Sequence, residues 1–350
     1  MKKVLSLVLA LALLLSVALT ASAATYISVI SKGEQHAFWQ TVRKGCEAAA
    51  AANDVETFYY GPPSEADIAL QVEALKNEMA KEPAAIALAA LSTESVMGEL
   101  QECVEKGIPV IGFDSGVPGA PEGSIYATVA TDNSAAAAMV ADEFMKMEGF
   151  VDALKNATPE NPVIIACSSQ DAVSMSVSFR TAGFTAKMKE VASEYGAVSI
   201  EGHVSVADPV EGAPIIVHVE VGATATESDL LNAANAVLNK EGLIAVFCSN
   251  EGTARALLNA TADGSELGEG GRFADLIVAG FDAGAQQKTA VRNGWFKGAI
   301  TQNPYNIGYL SVELAAKAAA GEAVADADTG AVWYTAENMD VEDVAMLLYD

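Results

Sequence analysis

The sequence alternates short, wholly apolar runs with longer amphipathic runs, and this alternation restricts the possible folds more than any other feature. Residues 84–91 (AAIALAAL) form a short continuous apolar run, which is typical of a strand buried on both faces. The preceding amphipathic run places its apolar side chains on one helical face: Ile68, Val72, Leu75 and Met79. Because strand, helix and strand follow one another, the pattern predicts a parallel sheet with helices on both faces.

The alternation starts again in the second half of the chain. The strand-like runs are 26–31 (YISVIS), 84–91 and 108–113 (IPVIGF) in the first half, and 162–168, 243–248, 275–281 and 296–301 in the second. We therefore predict an α/β fold of two Rossmann-like, doubly wound lobes. No Pro-, Gly- or Ser-rich linker occurs in residues 129–144, so the lobes should be closely coupled. Residues 199–226 are β-rich and longer than one strand requires, and we expect them to add a hairpin to the second lobe.

The first 23 residues have the three parts of a secretory signal: a basic start, an apolar middle and a small-residue end (TASA). An uncleaved membrane anchor is the alternative, but the run is short and no basic stop follows it. No later segment approaches the roughly 20 apolar residues that cross a bilayer. We therefore expect an exported, soluble protein in the periplasm or on the outer side of the cytoplasmic membrane.

The composition argues against several classes of partner and site. The formal net charge is −26, and because residues 1–23 contain two lysines, the remainder carries −28, which disfavours binding to nucleic acid. The three histidines have no zinc-binding spacing, so we predict no metal site. The cysteines are widely spread: Cys46, Cys103, Cys167 and Cys248. We expect buried free thiols, and one disulfide pair is the alternative.

Polar side chains follow nearly every predicted strand: Asp114, Asn250, Asp282 and Gln302 each come directly or almost directly after an apolar run. Ligands of open parallel sheets bind beyond the carboxyl ends of the strands. Carboxylates and amides with a nearby ring suit a neutral polyol, since they bond its hydroxyls while the ring covers its C–H face. Taken singly, each of these residues is equally typical of a helix cap or a turn.

Motifs for catalysis or cofactor binding are not found in the sequence. It contains no GxSxG, HExxH, P-loop or dinucleotide-binding GxGxxG, and the glycine-rich residues 268–273 precede a strand. We therefore predict no catalytic residues and no cofactor. The many carboxylates leave a glycosidase pair open, so a secreted carbohydrate hydrolase is an alternative.

Several segments together carry a family resemblance: HAFWQTVRKGCEAA, IPVIGFDS, VATDN, FRTAGF, VFCSNEGTARAL, VAGFDA and ITQNPYNIG. The chain resembles the type I periplasmic sugar-binding proteins, close in plan to the ribose- and galactose-binding members that feed ABC importers, over residues 25–345. The resemblance implies a ligand held between two closing lobes, with the chain crossing the hinge near Thr131 and Asp132, near Gln302 and at 331–334. It implies a first lobe of 24–131 and 303–332, and a second lobe of 132–302 and 333–350.

The resemblance also implies which residues contact the sugar: Gln35, Phe38, Asp114, Asn250, Asp282 and Gln302. Phe38 would provide the platform for the sugar ring, and Trp39 would pack behind it or line the rim. Further candidates are His36, Trp39, Ser115 and Ser178.

Departures from the family pattern affect the expected ligand. Ser115 and Ser178 occupy places where the ribose-type site has arginines, and Arg180 would be structural. Ala37 replaces one aromatic residue, and 205–226 contain no aromatic residue to complete a sandwich. The site should be roomier and less cationic than a ribose site, which leaves another monosaccharide, a deoxy or amino sugar, or a larger polyol open.

Together these features predict a non-enzymatic, monomeric receptor that delivers a neutral sugar-like ligand to the membrane subunits of an ABC permease. A receptor that presents its ligand to a chemoreceptor or a sensor kinase is the alternative. A transcriptional regulator with similar lobes is disfavoured, because no helix-turn-helix precedes the first strand.

Overall fold

The computed structural model describes residues 25–349 of the 350-residue chain. The predicted signal sequence, residues 1–23, and the last residue lie outside this part. The strands are β1 (Thr25–Ile30), β2 (Val55–Tyr60), β3 (Ala85–Leu88), β4 (Val110–Phe113), β5 (Ile125–Ala130), β6 (Val163–Ser169), β7 (Val198–Glu201), β8 (Ile215–Val221), β9 (Leu243–Cys248), β10 (Ile277–Phe281), β11 (Gly298–Gln302), β12 (Ala327–Asp328) and β13 (Ala331–Tyr334).

The helices alternate with these strands. They are α1 (Ala37–Ala52), α2 (Ile68–Met79), α3 (Met97–Lys106), α4 (Asn133–Phe144), α5 (Phe150–Asn156), α6 (Met175–Ala192), α7 (Glu227–Leu238), α8 (Glu251–Ala260), α9 (Ala285–Arg292), α10 (Pro304–Ala319) and α11 (Glu342–Ala345). Single 3₁₀ turns occur at Glu94–Val96 and Ser265–Leu267.

The strands form two sheets. The six-stranded sheet has the order β12-β5-β4-β3-β1-β2, and all its neighbouring strands are parallel. The seven-stranded sheet has the order β13-β11-β10-β9-β6-β8-β7, in which only the β11–β13 pair is antiparallel. We call each sheet with its packed helices the first and the second lobe, respectively.

Helices cover both faces of each sheet, so the central strands are buried on both sides. In the first lobe, α2 and α3 pack on one face through Leu75 and Leu100. In the second lobe, Phe184 of α6 packs on Phe144 of α4 and on Phe247 of β9. This arrangement confirms the predicted α/β fold with two Rossmann-like lobes.

Residues 199–226, at the edge of the second sheet, do not form the expected hairpin. Strands β7 and β8 pair in parallel, with Val198 opposite Ile215. Residues 202–214 return the chain to the starting end of β7, touching that strand through one antiparallel bridge between Ile200 and Asp208. A loop of this length permits the parallel pairing, which a tight turn would not.

Within residues 25–349, the chain passes between the two sheets at three places. It leaves the first sheet after β5, returns between β11 and α10, and passes back between β12 and β13. The last passage lies at 329–330, because Ala331 and Val332 already pair with Gln302 and Thr301 of β11. The predicted boundary between residues 332 and 333 is therefore two residues late relative to the strand pairing.

Helix α10 packs tightly on α1, which joins it to the first lobe although it follows a strand of the second. Two glycines permit this approach. A Cβ on Gly45 would lie 2.0 Å from the carbonyl oxygen of Tyr305, and a Cβ on Gly308 would lie 2.0 Å from that of Val42. Both positions therefore require glycine for the helices to meet at this distance.

The four cysteines are buried free thiols, as predicted. None of the helices within residues 25–349 is long and apolar enough to cross a bilayer.

Candidate functional site

Two aspartates occupy equivalent positions in the two lobes. Asp114 directly follows β4 and Asp282 directly follows β10, and both have a positive φ, 55° and 78°. The N–H of Asp114 donates to the carbonyl of Val129 (2.8 Å), and that of Asp282 to the carbonyl of Ile300 (2.7 Å). A positive φ is unusual for residues other than glycine and is enriched at functional sites. Here it accompanies two carboxylates at the facing carboxyl ends of the sheets.

Both aspartates line one cavity between the lobes, which we call the cleft cavity. Its volume is about 30 Å³. The first lobe contributes Lys32, His36, Phe38, Trp39, Glu65 and Asp114, and the second contributes Ser176, Val177, Arg180, Asn250, Glu251, Asp282 and Gln302. Because one water needs about 10–15 Å³ measured in this way, the cavity has room for about two waters in this closed form.

Each lobe pairs a cation with its own aspartate in the cavity. Lys32 Nζ lies 3.6 Å from Asp114 Oδ2, and Arg180 Nη1 lies 3.8 Å from Asp282 Oδ2. Burial alone lowers the pKa of Lys32, but the charge of Asp114 raises it above its usual value, so the lysine is charged. Burial raises the pKa of Asp282. The charge of Arg180 lowers it by a smaller amount, so the pKa stays above its usual value.

Arg180 is held by several further contacts. Its Nε donates to Asn133 Oδ1 at 2.7 Å and its Nη1 to the carbonyl of Ser249 at 3.1 Å. The guanidinium carbon lies 3.7 Å from the ring centroid of Phe281. These contacts are consistent with the predicted structural role of Arg180. Arg180 also lines the cleft cavity, and together with Lys32 it makes the site more cationic than expected.

Asp282 and Asn250 are fixed by hydrogen bonds at the end of the second sheet. Asp282 Oδ1 accepts from Gln302 Nε2 (2.7 Å), and its Oδ2 accepts from the N–H of Glu251 (3.0 Å). Asn250 caps helix α8, accepting from the N–H of Thr253 at 3.0 Å. The cap therefore orients Asn250 toward the cleft and also stabilises its helix.

Glu65 joins the two lobes and was not predicted. Its Oε1 accepts from Trp39 Nε1 of the same lobe, and its Oε2 accepts from Gln170 Nε2 of the other lobe, both at 2.7 Å. The carbonyl oxygen of the Gln170 amide in turn accepts from Asn250 Nδ2 at 2.7 Å. Burial alone raises the pKa of Glu65, but the charge of Lys32 and these hydrogen bonds lower it below its usual range. Glu65 is therefore an ionised group that bonds across the cleft.

Two more contacts cross the cleft through Ser176. Lys32 Nζ donates to Ser176 Oγ at 3.1 Å, and the N–H of Ser176 donates to Ser115 Oγ at 3.3 Å. His36 Nδ1 and Glu251 Oε1 face each other across the lobes at 3.8 Å. The structure is thus a closed form in which the lobes bond directly.

Aromatic rings form one wall of the cavity. The rings of Phe38 and Trp39 meet edge to face at 4.9 Å, and Trp39 packs in turn on Phe113 at 6.3 Å. Tyr349 approaches the other side of Phe38, with 6.0 Å between ring centroids, and its hydroxyl accepts from the N–H of Ala283. The end of the chain therefore supports Phe38 from the second lobe.

The structure brings most of the predicted residues together at the cavity: His36, Phe38, Trp39, Asp114, Asn250, Asp282 and Gln302. Gln35 is exposed beside it, with its amide 3.1 Å from His36 Nε2. Ser115 is buried, and its Oγ accepts the hydrogen bond from the N–H of Ser176. Ser178 lies two residues beyond Ser176 on α6, about 200° around the helix, and so faces away. These three residues therefore do not line the cleft cavity.

Sequence reasoning missed Lys32, Glu65, Ser176 and Glu251. Lys32 follows β1 and Glu251 follows β9 within three residues, so the rule that found Asp114 also indicates them. Glu65 lies beyond β2, whose half-exposed sequence VETFYY was not recognised as a strand. Among residues 25–349, no cluster of three or more histidine, cysteine or acidic side chains is arranged to hold a metal ion.

Comparison with known proteins identifies the family. A family described as periplasmic binding protein domain matches residues 27–323. The chain belongs to this family of periplasmic binding proteins. The D-allose-binding periplasmic protein of Escherichia coli is 24% identical over 299 residues, covering 84% of this chain and 85% of the relative.

Solved structures of similar proteins share the whole fold. A protein of Brachyspira murdochii, described as an ABC transporter, LacI family transcriptional regulator, is 38% identical with a TM-score of 0.78, covering 94% of this chain and all of that one (100%). An ABC transporter solute-binding protein of Agrobacterium vitis with bound D-fucose is 26% identical with a TM-score of 0.75, covering 93% and 100%. The two-lobe arrangement is therefore the one typical of periplasmic binding proteins.

Proposed function

We propose that this protein is an extracytoplasmic receptor that captures a neutral sugar between its lobes and delivers it to an ABC permease. One observation carries the proposal. Carboxylates and amides from the facing ends of two parallel sheets converge with the ring of Phe38 on a single cavity. The relatives support the same ligand class, since one is a D-allose-binding protein and another holds D-fucose.

The charges of the cavity favour an uncharged ligand over an anion. Its two cations, Lys32 and Arg180, already face Asp114 and Asp282, and Glu65 adds further negative charge. An anionic ligand would have to compete with these carboxylates for the cations. The hydroxyl groups of a sugar, in contrast, donate to carboxylates and bond to amides without adding charge.

Capture requires opening and closing of the lobes. A cavity of about 30 Å³ does not hold a hexose, so the lobes must separate to admit it. The chain segments at 131–132, 302–303 and 329–330 are the proposed hinge. They divide the chain into a first lobe of 25–131 and 303–329 and a second lobe of the remaining described residues. Because the ligand would contact Asp114 in one lobe and Asp282 in the other, its binding favours closure.

The remaining parts of the proposal follow from family membership. Members bind their substrates, and we propose that this chain acts without catalysis, as an exported monomer whose partners are a sugar and the permease subunits. The sugar contacts proposed are Phe38, Asp114, Asn250, Asp282 and Gln302, with Lys32, Glu65 and Arg180 added by the structure.

The test is a thermal-shift screen of residues 24–350 against sugars, amino acids and organic anions, followed by calorimetry. A sugar at 100 times its Kd should stabilise the fold by about 2.7 kcal/mol. Asp114→Ala and Asp282→Ala should weaken its binding at least tenfold, and Asp152→Ala, at an exposed carboxylate, should not. Binding of an anion but of no sugar would overturn the proposal, and release of a product from a bound sugar would support the hydrolase instead.

A further inference from the structure

A second cavity adjoins the cleft cavity, and we call it the side cavity. Its volume is about 260 Å³, near the lower end of the range for small-molecule sites, about 300 Å³. Gln35 and Ala37 line it from the first lobe, and Glu251, Arg255, Gly284 and Gln287 line it from the second. Glu251 belongs to both cavities. The side cavity therefore continues the cleft between the same two lobes.

Small residues create the space on both sides. Ala37 is the first residue of α1, in a position where a large side chain would fill the side cavity. A Cβ on Gly284 would lie 2.3 Å from Glu251 Oε1, so only glycine lets the carboxylate lie at this boundary. His36 and Glu251 face each other at 3.8 Å and form the partition between the two cavities. The partition consists of two side chains from different lobes, which separate when the lobes open.

Buried acceptors on both sides of this partition have no hydrogen-bond partner among residues 25–349. Two such atoms, Glu251 Oε2 and Gln287 Oε1, belong to residues that line the side cavity, and a third, Gln302 Oε1, belongs to a residue that lines the cleft cavity. Gln287 is 2% exposed, and its amide nitrogen donates to the carbonyl of Asp282 (2.6 Å) and to Tyr334 (3.1 Å). These bonds fix its amide and leave its buried oxygen without a partner in the closed form, so the oxygen can accept from a ligand hydroxyl once the lobes have adjusted.

We propose that the side cavity is a second subsite and that the ligand is a glycoside, a sugar joined to a second sugar ring or a comparable hydroxylated group. This inference rests on the proposed function and specifies its substrate class. One ring occupies the cleft cavity against Phe38 once the lobes have adjusted around it. The second group passes between His36 and Glu251 and donates hydroxyls to Glu251 and Gln287.

The proposal can be tested by calorimetry with defined probes. These are D-glucose, D-galactose and D-allose, the methyl glycosides of glucose and galactose, and the disaccharides maltose, cellobiose, gentiobiose, lactose and melibiose. We expect at least one glycoside to bind ten times more tightly than its parent monosaccharide. The Ala37→Phe variant should bind that glycoside at least ten times more weakly, and its Kd for the parent sugar should change less than threefold.

Two further variants make the result specific. Gln286→Trp narrows the side cavity from an exposed position of the second lobe and should have the same selective effect. Ala51→Phe places the same ring on an exposed position of α1, away from both cavities, and should change neither affinity. Melting curves of all variants verify that each is folded.

The outcomes separate this proposal from the function on which it rests. If monosaccharides bind and every glycoside binds more weakly, the subsite is refuted and the sugar receptor stands. If a glycoside is preferred but Ala37→Phe and Gln286→Trp leave its Kd unchanged, the side cavity is not the subsite. If no sugar of this panel or of the thermal-shift screen binds, both proposals are wrong.

Discussion

Replacing Gln170 with alanine should weaken ligand binding more than it weakens the second lobe, in which it removes one hydrogen bond, that from Asn250. Gln170 is 2% exposed and donates to Glu65 Oε2 across the cleft at 2.7 Å, while its oxygen accepts from Asn250. A hydrogen bond to a charged group contributes about 1.5–3 kcal/mol. Water replaces this bond in the open form, so the loss applies to the closed form alone. Because 1.4 kcal/mol is tenfold in affinity, Kd should rise roughly 10- to 100-fold.

The assay is calorimetry with the sugar that binds the wild type most tightly. Gln101→Ala is the matched control, since Gln101 is an exposed glutamine bonded only within α3. Gln170→Glu gives a sharper version, because it places a second carboxylate within hydrogen-bonding distance of Glu65. The affinity of this variant should be lowest near pH 7 and should recover on acidification, when one carboxylate takes up a proton.

Two results would refute this reasoning. Wild-type affinity in both Gln170 variants would mean that the bond to Glu65 does not form in the ligand-bound state. A large fall in the melting temperature of ligand-free Gln170→Ala would mean that the residue stabilises a lobe rather than closure.

Three other measurements test the fold and the partition. Gly308→Ala should cost roughly 1–3 kcal/mol of stability, seen as a lower urea midpoint, because its Cβ meets the carbonyl of Val42; Gly98→Ala on α3, with nothing within 4 Å, should be neutral or stabilising. Burial alone lowers the pKa of His36, but the carboxylate of Glu251, 3.8 Å away, raises it above 6.5, so this contact supports closure fully below pH 6.5 and is lost as pH rises through the raised value. The affinity for a monosaccharide, which leaves this contact in place, should therefore fall with rising pH in the wild type. The His36→Gln variant should give a flat pH profile, and a flat profile in the wild type would contradict this prediction. Burial raises the pKa of the cysteine thiols, so Ellman's reagent should label none in the native protein and all four after denaturation.

The fold could be predicted largely because buried parallel strands have a distinctive sequence. Runs such as that of β10 (Ile277–Phe281) are buried at every position and appear as continuous apolar segments. Strand β2 was missed because its half-exposed positions carry Glu56 and Thr57, which interrupt the apolar run. The parallel pairing of β7 and β8 was also missed, since the direction of a returning strand depends on the loop and its tertiary contacts.

The site was predicted to the extent that strand ends determine it. Asp114 and Asp282 were found because the carboxyl ends of parallel strands must face the cleft. The conformation of the loop after a strand determines which of its side chains point into the cleft, and the sequence does not show this conformation. The prediction therefore placed Gln35 at the cleft cavity, where the structure has Lys32. Glu65 reaches the cleft from a loop, and its importance is visible only through its partner in the other lobe.

The placement of charges explains how such a polar cleft can open and close. Lys32 and Asp114 belong to the first lobe, and Arg180 and Asp282 belong to the second. Opening therefore hydrates these two ion pairs without splitting them. The contacts that opening breaks are hydrogen bonds, such as that from Gln170 to Glu65, and the contact between His36 and Glu251, and water replaces both kinds. A shift from 1% to 99% closed requires about 5.5 kcal/mol, which two to four ligand hydrogen bonds of about 1.5–3 kcal/mol supply.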